Sequence, residues 1–325
     1  MLINKANLIA LFLFSSSIAS SGCGNRVYTE SKLLMGTIAR ISVVTDQDRA
    51  DGILELAFKE IKRIEKKFSM YLNESEVSQL NIKGSLIPSN ETVWVISTSL
   101  EYSELTKGKF DITVYPLIKI WDIKKQEIPT NQDIKKALKN VGYRKIIIDD
   151  GLVLLNGTSI DLGGIVKGYA VDRVCGVLRE NGITNALVDI GGDIYVMGGK
   201  EGKGWSVGVQ HPRKENRLIG ILELKDRAVV TSGDYRRYFI SGGRRYHHII
   251  DPQTGYPAQG CQSVTLVASS TMEADALSTG IFVLGPEEGI KLVNRLNGVE
   301  AIIIDSKGKV IYSTGMKELF EENIK

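Results

Sequence analysis

The chain has 325 residues, 43% hydrophobic and 24% charged, with 41 Lys and Arg against 38 Asp and Glu for a formal net charge of +3. That balance excludes a disordered chain, which needs low hydrophobicity and high net charge, and it carries no clustered basic footprint for nucleic acid. Seven Pro and three Cys exclude a proline-rich linker protein and a disulfide-built mini-domain, while 33 Gly call for many tight turns or close backbone approaches.

In chain order, Lys5 precedes an unbroken apolar run from Leu8 to Phe14, and small, Ser-rich residues follow as far as Gly22. This is the n-region, h-region and small-residue site of a secretory signal. The run is too short to span a membrane, which takes about 20 apolar residues. Cys23 directly after Ser20-Ser21-Gly22 resembles a bacterial lipobox. The expectation is a signal peptide over residues 1–22, a lipidated Cys23, and an exported chain anchored to a bacterial membrane and facing the periplasm or cell exterior. Residues 23–34 then read as an N-terminal tether and residues 35–325 as the functional domain.

Ile38 to Thr45 is rich in β-branched residues and predicts a strand. From Asp48 to Phe68, Ile53, Ala57, Ile61 and Ile64 recur every three or four positions with charges between them, the pattern of an amphipathic helix. Asn131 to Val141 predicts a shorter helix, and Asp150-Gly151 predicts a hairpin between strands at 145–149 and 152–155. A helix over 165–178 ends at Asn181-Gly182, where Cys175 reads as a buried thiol. Further strands follow at 186–196, 205–209, 220–224 and 263–268, then helices over 272–284 and 286–296, then strands at 301–304 and 310–312. Clusters of strands separated by single helices predict the α+β class rather than a doubly wound parallel sheet. No linker breaks the chain, so one compact, two-lobed domain is expected, with mixed or antiparallel sheets, flanking helices and a ligand pocket between the lobes.

Three segments carry chemistry. In Asp161-Leu162-Gly163-Gly164-Ile165-Val166-Lys167-Gly168 a glycine turn opens a helix. Free N–H groups, the dipole and Lys167 suit a phosphate there, or Asp161 simply caps the helix. In Glu273-Ala274-Asp275-Ala276-Leu277-Ser278-Thr279 the spacing puts Asp275, Ser278 and Thr279 on one helix face. These are hard oxygens suited to Mg²⁺, unless Ser278 and Thr279 bond back to the helix. In His247-His248-Ile249-Ile250-Asp251-Pro252 two of the three histidines are adjacent. At most one faces a given pocket, where it would serve acid–base work, or both lie on the surface.

Taken together, the segments resemble the ApbE-type FAD:protein FMN transferases in order over nearly the whole chain after the signal. The resemblance rests on Met35-Gly36-Thr37, Glu65 through Phe68-Ser69-Met70-Tyr71, Ser75-Glu76-Val77-Ser78-Gln79-Leu80-Asn81 and Phe110-Asp111-Ile112-Thr113-Val114 with Pro116-Leu117 and Trp121. It continues through Asp161-Leu162-Gly163-Gly164 with Lys167-Gly168-Tyr169-Ala170, Asp189-Ile190-Gly191-Gly192-Asp193, Ser232-Gly233-Asp234-Tyr235, His248 to Gly255, and Ala274 to Thr279. Tyr115 departs from the family, which usually has Gly between Val and Pro. The resemblance implies binding of FAD and Mg²⁺ and transfer of FMN to a Ser or Thr hydroxyl of an acceptor protein, with release of AMP. It implies metal oxygens from Asp275, Thr279 and the Gly164 carbonyl, with Ser278 adjacent. Flavin contacts fall at Met35, Tyr71, Phe110, Asp111, Thr113, Asp161, Lys167 and Ile249, with Asp275 and His248 as catalytic candidates and His248 the base. Family members are often exported lipoproteins, in keeping with Cys23, and the acceptor is expected to be an extracytoplasmic redox subunit. The rival readings are an Mg²⁺-dependent FAD pyrophosphatase and a flavin-binding lipoprotein without catalysis.

Overall fold

The computed structural model describes residues 26–199 and 204–322, so the signal segment and Cys23 lie outside the described residues. The first half of the chain runs β1 (Arg26–Leu34), β2 (Thr37–Thr45), α1 (Gln47–Phe68), α2 (Glu76–Lys83), β3 (Ser85–Leu86), α3 (Asn90–Leu105), α4 (Tyr115–Ile120), α5 (Asn131–Leu138), β4 (Ile146–Asp149) and β5 (Leu152–Leu155). The second half runs α6 (Val166–Glu180), β6 (Ala186–Ile190), β7 (Asp193–Met197), β8 (Trp205–Gln210), β9 (Leu218–Leu224), β10 (Arg227–Gly233), β11 (Tyr238–Ser241), β12 (Arg244–His247), β13 (Cys261–Ala268), α7 (Thr271–Leu284), α8 (Pro286–Val293), β14 (Glu300–Asp305), β15 (Val310–Tyr312) and β16 (Phe320–Glu322).

Eight strands form one sheet in the order β1-β2-β6-β7-β10-β13-β14-β15. Each of its pairings is antiparallel, so the α+β class holds, with antiparallel sheets in a single domain. Strand periodicity distributes its residues between two cores. Val264, Leu266 and Ala268 of β13 face the larger core under α1, α6 and α7, while Val267 faces a smaller one closed by the sheet β16-β9-β8. Ala301 and Ile303 against Ile302 on β14, and Val188 and Ile190 against Leu187 on β6, divide in the same way. A third cluster gathers α4, α5 and the chain after β12 around Leu117, Trp121, Ile134 and Ile250 and forms the smaller lobe. The Trp121 indole donates to the Gly255 carbonyl at 2.7 Å and pins that lobe.

The predicted helices and strands are present. Thr231-Ser232-Gly233 ends β10. Residues 26–34, read as a tether, form β1 and pair along their whole length with β2. Cys175 and Cys261 are buried free thiols.

Candidate active site

The site is built where α6 and α7 cross. A Cβ on Gly168 would lie 2.3 Å from the Thr271 carbonyl oxygen and 2.8 Å from Met272 Cα, so only glycine permits this approach. Each helix then caps the other. Asp172 of α6 accepts from Thr271 N at 2.8 Å, Met272 N at 2.9 Å and the Ser270 hydroxyl at 2.7 Å, satisfying the open end of α7. In return Asp275 of α7 accepts from Gly168 N in the first turn of α6 at 3.1 Å. The residue at the start of α6 is Ile165, which offers no side-chain cap. Asp161 is therefore not the helix cap; its carboxylate accepts from Gly163 N at 2.8 Å and shapes the glycine turn.

This crossing buries a charge cluster. The Lys167 ammonium lies 3.4 Å from both oxygens of Asp275 and bonds the Asp193 carboxylate. Asp275 and Asp193 are each only 3% exposed. Burial first, and then the neighbouring Asp193, push the Asp275 carboxyl up to about 8, against the pull of Lys167. Burial alone would lower the Lys167 ammonium, but Asp193 and Asp275 together reverse this and hold it above the usual lysine range.

One turn beyond Asp275, Thr279 Oγ1 lies 3.5 Å from where a Cβ of Gly164 would stand, and Phe110 closes the same spot at 3.3 Å. Ser232 of β10 reaches Ser278 Oγ at 2.9 Å and Thr279 Oγ1 at 3.3 Å. Gly164, Asp275, Ser278 and Thr279 are thus brought together. The Ser278 hydroxyl already donates to the Asp275 carbonyl at 3.1 Å, whereas Thr279 is half-buried on the open side. A carboxylate pair and a hydroxyl beside a glycine bend make an all-oxygen donor set of the kind Mg²⁺ takes. No group of three or more His, Cys, Asp or Glu fit for a metal occurs among the described residues.

The adjacent histidines separate as strand alternation demands. His247 is 2% exposed, with Nε2 2.9 Å from the Ala258 carbonyl and its ring edge-on to Phe282. His248 is half-buried and its backbone N–H donates to the Arg237 carbonyl at 3.1 Å. Burial, then the positive charge of Arg237, with Lys167 contributing, hold the His248 imidazole down at about 3. Arg237 also pulls on the Asp161 carboxyl, which burial raises. His248, Arg237, Asp161 and Lys167 therefore share one electrostatic neighbourhood.

The remaining predicted residues fall in two groups. Met35 turns the β1–β2 hairpin at φ 52° and donates its N–H to Glu65 at 2.8 Å, Ile249 is buried beside His248, and Tyr71 is 85% exposed. Asp111 and Thr113 are buried and mutually engaged. Asp111 accepts from Thr113 N at 2.8 Å, the Thr113 hydroxyl at 2.6 Å and Tyr143 N at 2.9 Å, and Thr113 accepts from Gly142 N at 2.7 Å. Asp111 borders a cavity of about 400 Å³ that also meets Glu104, Lys107, Tyr143 and Pro252. Tyr115 sits in right-handed helical backbone at φ −52°, so the position does not require glycine.

Asp193, Asp172, Ser232 and Arg237 were not singled out as site residues. Asp193 and Ser232 fall within motifs that carry the family resemblance, and Asp189-Ile190-Gly191-Gly192 resembles Asp161-Leu162-Gly163-Gly164. In both, the aspartate accepts from a glycine N–H of the following bend, and the second bend delivers Asp193.

A buried lysine–carboxylate cluster beside hydroxyls and a glycine-lined helix start marks a candidate active site in an antiparallel α+β domain. The model described as the ApbE family matches residues 35–303, and the chain belongs to that family. Its relatives include the FAD:protein FMN transferase of Klebsiella pneumoniae (strain 342), 31% identical with 91% of this chain and 95% of that one covered. That of Treponema pallidum (strain Nichols) is 30% identical with 90% of each covered. Among solved structures, the ApbE protein of Thermotoga maritima superposes with a TM-score of 0.85 at 37% identity, covering 91% of this chain and all 100% of that one. The flavin transferase ApbE of Vibrio cholerae gives 0.81 at 28% identity, covering 91% and 99%.

Proposed function

We propose that the chain transfers FMN from FAD to a Ser or Thr hydroxyl of an acceptor protein through a phosphoester bond, with release of AMP. The observation that carries this reading is the convergence of Asp275, Thr279, Gly164 and Lys167 at the start of α6. Asp275, Thr279 and the Gly164 carbonyl, with Ser278 and Asp193 beside them, would hold Mg²⁺. When bound, Mg²⁺ neutralises charge on diphosphate oxygens. Lys167 brings a fixed positive charge to the same diphosphate. His248 is neutral at physiological pH and so free to accept the proton of the incoming hydroxyl, a role usually worth about 10²–10⁴-fold in rate. An anionic diphosphate arriving beside it raises its basicity. Attack at the FMN-side phosphorus forms the new O–P bond and breaks the bond to the AMP oxygen, which leaves as a phosphate anion. Lipidation at Cys23 would hold the enzyme on the outer side of a bacterial membrane, where the acceptor is an extracytoplasmic redox subunit.

The test incubates the chain with FAD, Mg²⁺ and a candidate acceptor. A fluorescent, flavin-bearing acceptor band with stoichiometric AMP supports transfer. Free FMN and AMP with an unlabelled acceptor identify a pyrophosphatase, and FAD left intact identifies a binder.

A further inference from the structure

The β11–β12 hairpin leaves the sheet next to the site and is tied to it, since the Tyr238↔His247 pairing is followed at once by the bond from His248 N to the Arg237 carbonyl. From Tyr235 to His247 the hairpin carries Arg236, Arg237, Arg244 and Arg245 and no Asp or Glu. The acid at its root, Asp234, is taken by Arg213 through two bonds of 2.6 Å. Arg245 stacks 3.6 Å from the Tyr238 ring centroid, donates to the Asp234 backbone carbonyl at 3.5 Å and reaches the Asp234 carboxylate at 3.9 Å. Arg236, Arg237 and Arg244 are exposed, and among the described residues no carboxylate lies within salt-bridge distance of them. One face of the hairpin is anchored, Phe239 stacking on Tyr246 and Tyr246 on Trp121. The opposite face displays Ile240, 60% exposed, and Tyr238, 40% exposed. The hairpin stands as a two-stranded sheet, so the outer backbone edge of β11 has no strand partner.

We propose that this hairpin is the docking surface for the acceptor protein, and that it receives an extended acidic segment flanking the hydroxyl to be modified. An added strand on β11 would gain main-chain hydrogen bonds, while the arginines select acidic side chains and Tyr238 and Ile240 cover apolar ones. The pairing ladder ends at His248, so a segment held along it runs toward the proposed base. A lipid surface offers no partner for the open backbone edge, which favours a peptide over a membrane. The inference rests on the transferase reading above.

The probe is a fluorescein-labelled peptide of alternating Glu and Thr, with an alternating Lys and Thr peptide and phosphatidylglycerol vesicles in parallel. The full chain is compared with Arg236→Glu/Arg244→Glu and with Lys59→Glu/Lys62→Glu on the exposed side of α1. The expected result is binding of the acidic peptide alone, weakened at least tenfold in the hairpin variant and unchanged in the α1 variant, with Mg²⁺-dependent release of FMN from FAD equal in all three. Equal peptide binding by the hairpin variant overturns the proposal, as does an equal loss in the α1 variant. A hairpin variant that loses vesicle binding while keeping the peptide also overturns it and makes the hairpin a membrane contact. Absence of FAD turnover in the unmodified chain defeats the transferase reading instead, and the peptide comparison still judges the hairpin.

Discussion

A lysine wedged between two buried carboxylates determines how the site behaves at the level of single residues. With the Asp275 carboxyl pushed to about 8, the protein holds a proton or the Lys167 charge where a divalent ion would otherwise balance it. Asp275→Asn keeps an acceptor for Gly168 N but removes the charge. It is expected to lower Mg²⁺-dependent FAD turnover at least about 100-fold while leaving the melting temperature within a few degrees; near-native turnover would remove Asp275 from the proposed metal site. Asp189 tests burial without the metal question. Burial raises its carboxyl to about 6 from 3.8, against the pull of its bond from Gly192 N at 2.8 Å. The folded state thus binds this proton more tightly than the unfolded chain. The stabilisation is full below about pH 4 and is lost as pH climbs through about 6. Asp189→Asn keeps the acceptor and has no proton to lose, so it should gain on the parent between pH 4 and 7 by up to about 3 kcal/mol in urea titrations. Parallel pH profiles for the two proteins would contradict this.

Helices α6 and α7 act as a pair, because each supplies the carboxylate that closes the other's first turn. Asp172→Ala strips the acceptor from two backbone N–H groups and a hydroxyl. It should cost about 2–3 kcal/mol by chemical denaturation, with Asp172→Asn recovering part; a loss below about 0.5 kcal/mol would show that water replaces the cap. What the sequence disclosed at this scale follows the same physics. α1 was legible because Ile53, Ala57, Ile61 and Ile64 all reach the core. β1 was not, because it is an edge strand with no fully buried position and hence no alternation to read. α3 escaped notice because its Ser and Thr residues interrupt the apolar stripe, and Ser99 and Ser103 satisfy their hydroxyls on the preceding turn. Within the site, contiguous motifs were legible. Lys167–Asp193 and Lys167–Asp275, 26 and 108 residues apart, join only when the sheet forms.

For the molecule as a whole, the central sheet seals both thiols. Cys175 and Cys261 lie in the larger core, 1% and 4% exposed, and burial raises the Cys261 thiol to about 12 and pushes Cys175 up as well. With Cys23 replaced by serine, the folded protein should leave a disulfide reagent unreacted and take up two equivalents in denaturant, so that slow labelling reports global opening. Rapid modification of either thiol in buffer would mean that the core opens locally. The edge strand β1 has a different consequence. Its nine residues from Arg26 to Leu34 extend up to about 30 Å. One end turns through Met35 into β2, whose Thr37 lies against the Gly191 bend that delivers Asp193, and the other begins three residues after Cys23. Were lipid attached there, a rigid ruler rather than a leash would set the working height. The reacting phosphorus would stand well above the headgroups, within reach of hydroxyls on upright domains and out of reach of those lying flat on the bilayer.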